Sequence, residues 1–143
     1  LLPVPETHGH HKAATMLALQ SAEQLPDEQK PIVLGVSLSS KEDTVQPIFE
    51  QLKDYKETAI HKDAPVFTMD RTAKFGFKKS LDYKVIVNWE IAEHKSQGTM
   101  QLAMNRGDLE NFWYFKINGD KGIEKTRLLF EELKRVPYPE KRY

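Results

Sequence analysis

Apolar positions along the chain change their spacing from one segment to the next. Residues Lys12 to Gln24 are rich in Ala, Leu, Met and Gln, which suits a helix. Pro26 ends it, because proline lacks an amide donor and clashes with the preceding turn. Ile32, Val33, Leu34, Val36 and Leu38 form a short apolar run that predicts a buried strand. Val45, Ile48, Phe49, Leu52 and Tyr55 then recur at helical spacing. With Asp43 or Thr44 as cap and Pro47 in the first turn, they predict an amphipathic helix. Further on the period becomes two. Val85, Val87, Trp89 and Ile91 alternate with Lys84, Ile86, Asn88 and Glu90, which predicts a strand.

Thr99 to Met104 is a second strand candidate, and Phe112 to Ile117 a third. Arg106-Gly107-Asp108 and Asn118-Gly119 are turn signals. In Phe112-Trp113-Tyr114-Phe115, alternate rings face opposite sides of a strand, and core on both sides is the commoner outcome. Residues 124–135 fit either a helix, with Glu131 and Arg135 at i,i+4, or a fourth strand after the Asn-Gly turn. The expected class is α+β: an antiparallel three- to four-stranded meander, an amphipathic helix on one face and a helical N-terminal extension. Residues 1–30 read as an arm with a short helix, and 31–143 as one domain.

Charge narrows the function classes. Of 143 residues, 21 are Lys or Arg and 21 Asp or Glu, so the chain lacks the cation surplus of a general polyanion binder. It contains no cysteine, which excludes a disulfide scaffold, a thiolate metal site and a thiol nucleophile. No apolar run is long enough for a transmembrane span. A first residue of leucine fits a processed or truncated product.

Candidate chemistry is sparse. His8, His10 and His11 carry metal-ligating nitrogens, but they lie in an arm and His61 and His94 stand apart, so no metal or other cofactor is expected. Gly35-Val36-Ser37-Leu38-Ser39 resembles half of a nucleophile elbow and lacks its second glycine. Glu50, Asp54 and Glu57 would share the solvated face of the predicted helix. Lys74-Phe75-Gly76-Phe77-Lys78-Lys79 interleaves cations with aromatics, as nucleic-acid-binding sheets do. The neutral total favours solubility or an acidic protein partner, not nucleic acid, for Lys74, Lys78 and Lys79, with Phe112 and Tyr114 as further partner-binding anchors.

Residues 45–59 (VQPIFEQLKDYKETA) resemble the amphipathic helix that opens the domain of two related mitochondrial families. One is the inner-membrane presequence translocase accessory subunit; the other is a cytochrome oxidase assembly factor. The resemblance extends over about residues 45–132 through strands like Lys84 to Ile91, Gln97 to Leu102 and Phe112 to Ile117. It implies a non-enzymatic mitochondrial protein that belongs to, or assembles, an inner-membrane respiratory or translocase complex. Its partners would be other protein subunits, with no nucleic acid and no span in this chain. The families' membrane anchor has no counterpart here, and they supply no catalytic residues. The leading expectation is an interaction module; the alternative is a small-ligand or nucleic-acid binder using Phe75 and Phe77.

Overall fold

In the computed structural model, which describes residues 2–44 and 48–135, helix α1 spans Gly9–Glu23. It buries Met16, Leu19 and Ala22, three positions at i, i+3 and i+6 that make one stripe. Strand β1 (Leu34–Ser39) follows, then β2 (Phe67–Asp70) and a two-residue hairpin of β3 (Lys74–Phe75) and β4 (Leu81–Asp82). Helix α2 (Lys84–Glu93), a 3-10 segment over Gly98–Ala103, strand β5 (Leu109–Tyr114) and helix α3 (Lys121–Arg135) complete the described chain.

The α+β class expected from the sequence is present, with an antiparallel three-stranded sheet and an N-terminal helix. The sheet order is β1-β5-β2, so the last strand in sequence lies in the centre. Val36 pairs with Phe112, and Phe67 pairs with Phe112 from the other side. Side chains of Phe67, Phe112 and Tyr114 therefore point to one face. Helix α3 covers that face. Phe130 stacks on Phe67 with centroids 5.1 Å apart and meets Phe112 edge-on at 5.0 Å. On the opposite face, Trp113 and Phe115 are buried. Both faces of β5 are core, as the aromatic run led one to expect.

Several segments take a form other than the predicted one. Residues 48–55 contain no helix; only Lys56–Thr58 makes a 3-10 turn. Val45 lies outside the described residues. Phe49 nevertheless packs on the sheet, 5.6 Å from the Trp113 ring and 6.0 Å from Phe115. The apolar spacing at 48, 49, 52 and 55 suits an extended strap as well as a helix, and burial on the sheet outweighs propensity. Glu50, Asp54 and Glu57 thus share no helix face.

Lys84 to Ile91 is helical, not a strand. Its Val-Ile-Val run favours a strand, but 84, 88 and 91 also share a helical face, and tertiary bonds select it. Asn88 Nδ2 donates to Asn105 Oδ1 at 2.7 Å, and Asn105 N donates back to Asn88 Oδ1 at 3.0 Å. Gln101 Nε2 donates to Ile91 O, which holds the Gly98–Ala103 turns, another predicted strand, against α2. These helical segments remove two of the three strands expected to form a consecutive meander. They also remove the element order behind the family resemblance. The third begins earlier, at Leu109. Residues 124–135, left open between helix and strand, are helix. The Asn118-Gly119 turn, with Gly119 at φ 64°, leads into α3 instead of a hairpin.

Candidate functional site

Residues 71–108 form an excursion whose two ends meet. Asp70 and Leu109 are register partners, so the insert leaves and re-enters the sheet at one point. Backbone bonds close its stem: Arg71 N donates to Asp108 O at 2.8 Å, and Lys84 N donates to Arg71 O at 3.0 Å.

Charged groups tighten this stem. The Asp108 carboxylate accepts from Lys84 Nζ at 2.5 Å, from Ser40 Oγ at 2.9 Å and from Lys41 N at 3.0 Å. The Lys84 bond foremost, then those from Lys41 and Ser40, hold its pKa well below the usual carboxylate range. Burial alone would raise the Asp70 pKa, but bonds from Lys41 and Thr72 outweigh it and lower the value. Arg71 Nε donates to Glu110 Oε1 at 2.8 Å, and its Nη2 bonds the same oxygen.

Beside the stem lies a cleft of about 180 Å³. Met69 of β2 and Tyr83, Ile86 and Val87 at the start of α2 form its apolar walls; Asp70 and the Arg71–Glu110 pair line its polar side. Met69 and Glu110 are register partners, so the cleft sits on the same sheet face as α3.

The insert buries little of its apolar content. Ile91 is its one buried residue. Phe77 is 81% exposed, Leu102 69% and Trp89 63%. On α2 the exposed positions Ile86, Trp89, Glu90 and Glu93 follow i, i+3, i+4, i+7 spacing, so they lie along one helical face.

The hairpin tip carries the predicted basic-aromatic motif. Lys79 N donates to Gly76 O and Ser80 N to Phe77 O, while Lys78 and Lys79 both adopt φ 53°. Two consecutive positive φ values mark the primed hairpin turn, which favours Asn-Gly. Lysines there cost roughly 1 kcal/mol each. Lys78 Nζ lies 5.3 Å from the Phe77 ring centroid. Among the described residues neither Lys78 nor Lys79 forms an ion pair, whereas Lys74 pairs with Asp82 at 2.8 Å. Phe75 stacks on Tyr83 at 4.6 Å, whereas Phe77 is 81% exposed.

The other candidate residues lie apart. Phe112 is half-buried against Phe130. Tyr114 is buried and its hydroxyl donates to Gly119 O at 2.9 Å; burial and then the Asp120 charge raise its pKa. Both rings, expected as partner-binding anchors, pack against the chain's own core. Ser37 and Ser39 lie within β1, not at a strand-to-helix turn. Their hydroxyls accept from Trp113 Nε1 and Asn111 Nδ2. His10 and His11 lie in the first turn of α1 and His8 just before it. Among the described residues no group of three His, Cys, Asp or Glu side chains could hold a metal ion.

Sequence reasoning missed His61, which bonds Asp120 through Nε2 at 2.7 Å while Nδ1 accepts from Asp63 N at 3.3 Å. No local signal joins positions 61 and 120. Among the described residues no helix is long and apolar enough to cross a membrane. No family model, curated protein or solved structure matches the chain.

Proposed function

We propose that the chain is a non-catalytic interaction module that docks other proteins through the insert of residues 71–108. The observation that carries this reading is the exposure of large apolar side chains on that insert among the described residues, with Phe77, Trp89 and Leu102 each more than 60% exposed. Large exposed apolar surface on a folded chain marks an interaction site. Aromatic residues dominate the energetics of such sites. The clamped stem, held by Arg71, Lys84 and Asp108, presents this surface from a fixed base.

A place at a mitochondrial inner-membrane complex, as subunit or assembly factor, is the second part of the proposal. It rests on the sequence resemblance alone, whose element order differs from the one found here.

Cross-linking of the full chain in its native assembly, read by mass spectrometry, tests the first part. Partner cross-links should concentrate in residues 71–108, over a contact of at least about 1,000 Å². Cross-links confined to residues 2–30 would refute it. Protease protection in fractionated mitochondria tests the second part, and absence of the chain from that fraction would refute it.

A further inference from the structure

The backbone of β1 has an open outer edge. Beyond the end of β2, Ile60 bridges Phe115, with His61 N donating to Tyr114 O and Lys116 N to Ala59 O, each at 2.8 Å. Even-numbered residues of β5 thus turn their backbone groups toward β2, and Leu109, Asn111 and Trp113 turn theirs toward β1. By register these three meet Ser39, Ser37 and Gly35. The N–H and C=O groups of Leu34, Val36 and Leu38 therefore point out of the sheet. Among the described residues no backbone or side-chain group outside the sheet bonds to them.

We infer that this edge takes up an extended, uncharged peptide segment of a partner protein as a fourth, antiparallel strand, apolar on one face and bearing Ser, Thr or Asn on the other. The edge is separate from the insert, so this goes beyond the docking role proposed above.

The two outer strands of the sheet differ. Natural edges are blunted by charge, by proline or by short length. β2 has all three, with four residues, Pro65 two positions before it and Asp70 at its end. β1 has six residues, Leu-Gly-Val-Ser-Leu-Ser, with no charge and no proline. An edge left in that state is a template for another strand.

The faces of β1 set the chemistry of the segment. Val36 lies opposite Phe112, so Leu34, Val36 and Leu38 share the α3 face and offer apolar cross-strand neighbours. On the other face the Ser37 and Ser39 hydroxyls accept from Trp113 Nε1 and Asn111 Nδ2 at 2.9 Å. Each hydroxyl keeps its own proton to donate, which suits a Ser, Thr or Asn oxygen. A charge on the segment would find no countercharge on β1.

Area favours a flexible segment over a second folded copy. One six-residue edge buries far less than the roughly 1,200 Å² of a specific pair of folded proteins. An added strand is held by main-chain hydrogen bonds instead.

Amide hydrogen exchange of the full chain should be slow at Gly35 and Ser37 and fast at Val36 and Leu38. The probe is a synthetic peptide of alternating valine and threonine, matched to the six residues of β1 and carrying a terminal lysine at each end for solubility. It should slow exchange at Val36 and Leu38. In an antiparallel pair directly opposed residues exchange their bonds, so the peptide's valine amides face β1. Methylating the valine nitrogens should weaken binding at least about tenfold, and methylating the threonine nitrogens should not. Val36→Pro removes an outward N–H while sparing the β5 ladder, and should abolish binding with the folded signal kept. The methylated peptides decide the matter with the chain unaltered if that variant does not fold.

Slow exchange at Val36 and Leu38 in the dilute free chain overturns the inference. So does a peptide that stays unbound at about 1 mM, or equal binding of the two methylated peptides. Protection of Val36 and Leu38 that rises with chain concentration, alongside a dimer in sedimentation, makes a second copy the occupant and also overturns it. Cross-links through residues 71–108 are independent of all these outcomes.

Discussion

The side-chain amide of Asn118 meets the backbone of Val33 at both its donor and its acceptor. Asn118 Nδ2 donates to Val33 O and Val33 N donates to Asn118 Oδ1, each at 2.8 Å. The amide thus acts as a short piece of β-ladder that extends β1 by one residue and fixes the turn before α3. Asn118→Ala leaves two half-buried backbone groups without their partners and should cost about 2 kcal/mol. Asn118→Asp keeps the acceptor and loses the donor. Urea denaturation should place Asn118→Asp between the unaltered chain and Asn118→Ala, and an unchanged midpoint for Asn118→Ala would show that water replaces the amide.

The strap over the far face of the sheet makes a second prediction. Phe49 is half-buried against Trp113 and Phe115, so Phe49→Ala should destabilise by roughly 2–3 kcal/mol, below the range for a fully buried ring. Ile48 is 84% exposed, and Ile48→Ala should leave the denaturation midpoint almost unchanged. Equal effects at 48 and 49 would contradict this arrangement.

Gly122 sits in the first turn of α3, directly beneath the Tyr114 hydroxyl. A Cβ at Gly122 would collide with that oxygen and come within 3.4 Å of Ile32. Gly122→Ala should therefore destabilise by about 2 kcal/mol even though alanine is the better helix former. Tyr114→Phe removes the colliding atom along with its bond to Gly119 O. In the Tyr114→Phe background, Gly122→Ala should cost clearly less, and a double-mutant cycle measures this coupling. Additive effects would mean that the helix shifts and the clash is not what limits position 122.

Acid should loosen the stem of the insert. The folded-state pKa of Asp108 is depressed, so its carboxylate contributes stability above its unfolded value, near 3.9, and that contribution fades as pH falls through the depressed value. Stability should thus decline below about pH 4, and Asp108→Asn should flatten this part of the profile. Thermal melts of both proteins between pH 2 and pH 7 check the sign; identical acid slopes would remove Asp108 from the account.

Much of the core was legible in the sequence because aromatic rings at period two have few places to go. Phe112 through Phe115 predicted a strand buried on both faces, and Phe67, Phe130, Phe49 and α1 supply the neighbouring cover or core. Helix α1 was legible from its composition and its proline stop. The segment 84–93 was not. Val85, Val87, Trp89 and Ile91 satisfy an alternating pattern, and what selects the helix is Asn88 bonding to Asn105 and Lys84 to Asp108. Those partners lie beyond any local window. The cleft was illegible for the same reason, since Met69, Val87 and Glu110 meet only after the sheet has formed. The exposed Phe77 and its two lysines were visible as a motif, but their position at a strained turn was not.

The central place of β5 governs the order in which this chain can acquire structure during synthesis. Strands β1 and β2 both hydrogen-bond to β5 and not to each other. Leu34 waits for Tyr114, eighty positions later. Until the ribosome has released β5, the apolar faces of two unpaired strands remain without their ladder. Closing such distant pairs is slow, because the loop entropy must be met before the pairing is gained. A nascent chain of this kind is open to aggregation until β5 emerges, and folding chaperones that hold it in that interval should raise its yield more than any stabilising substitution on α1.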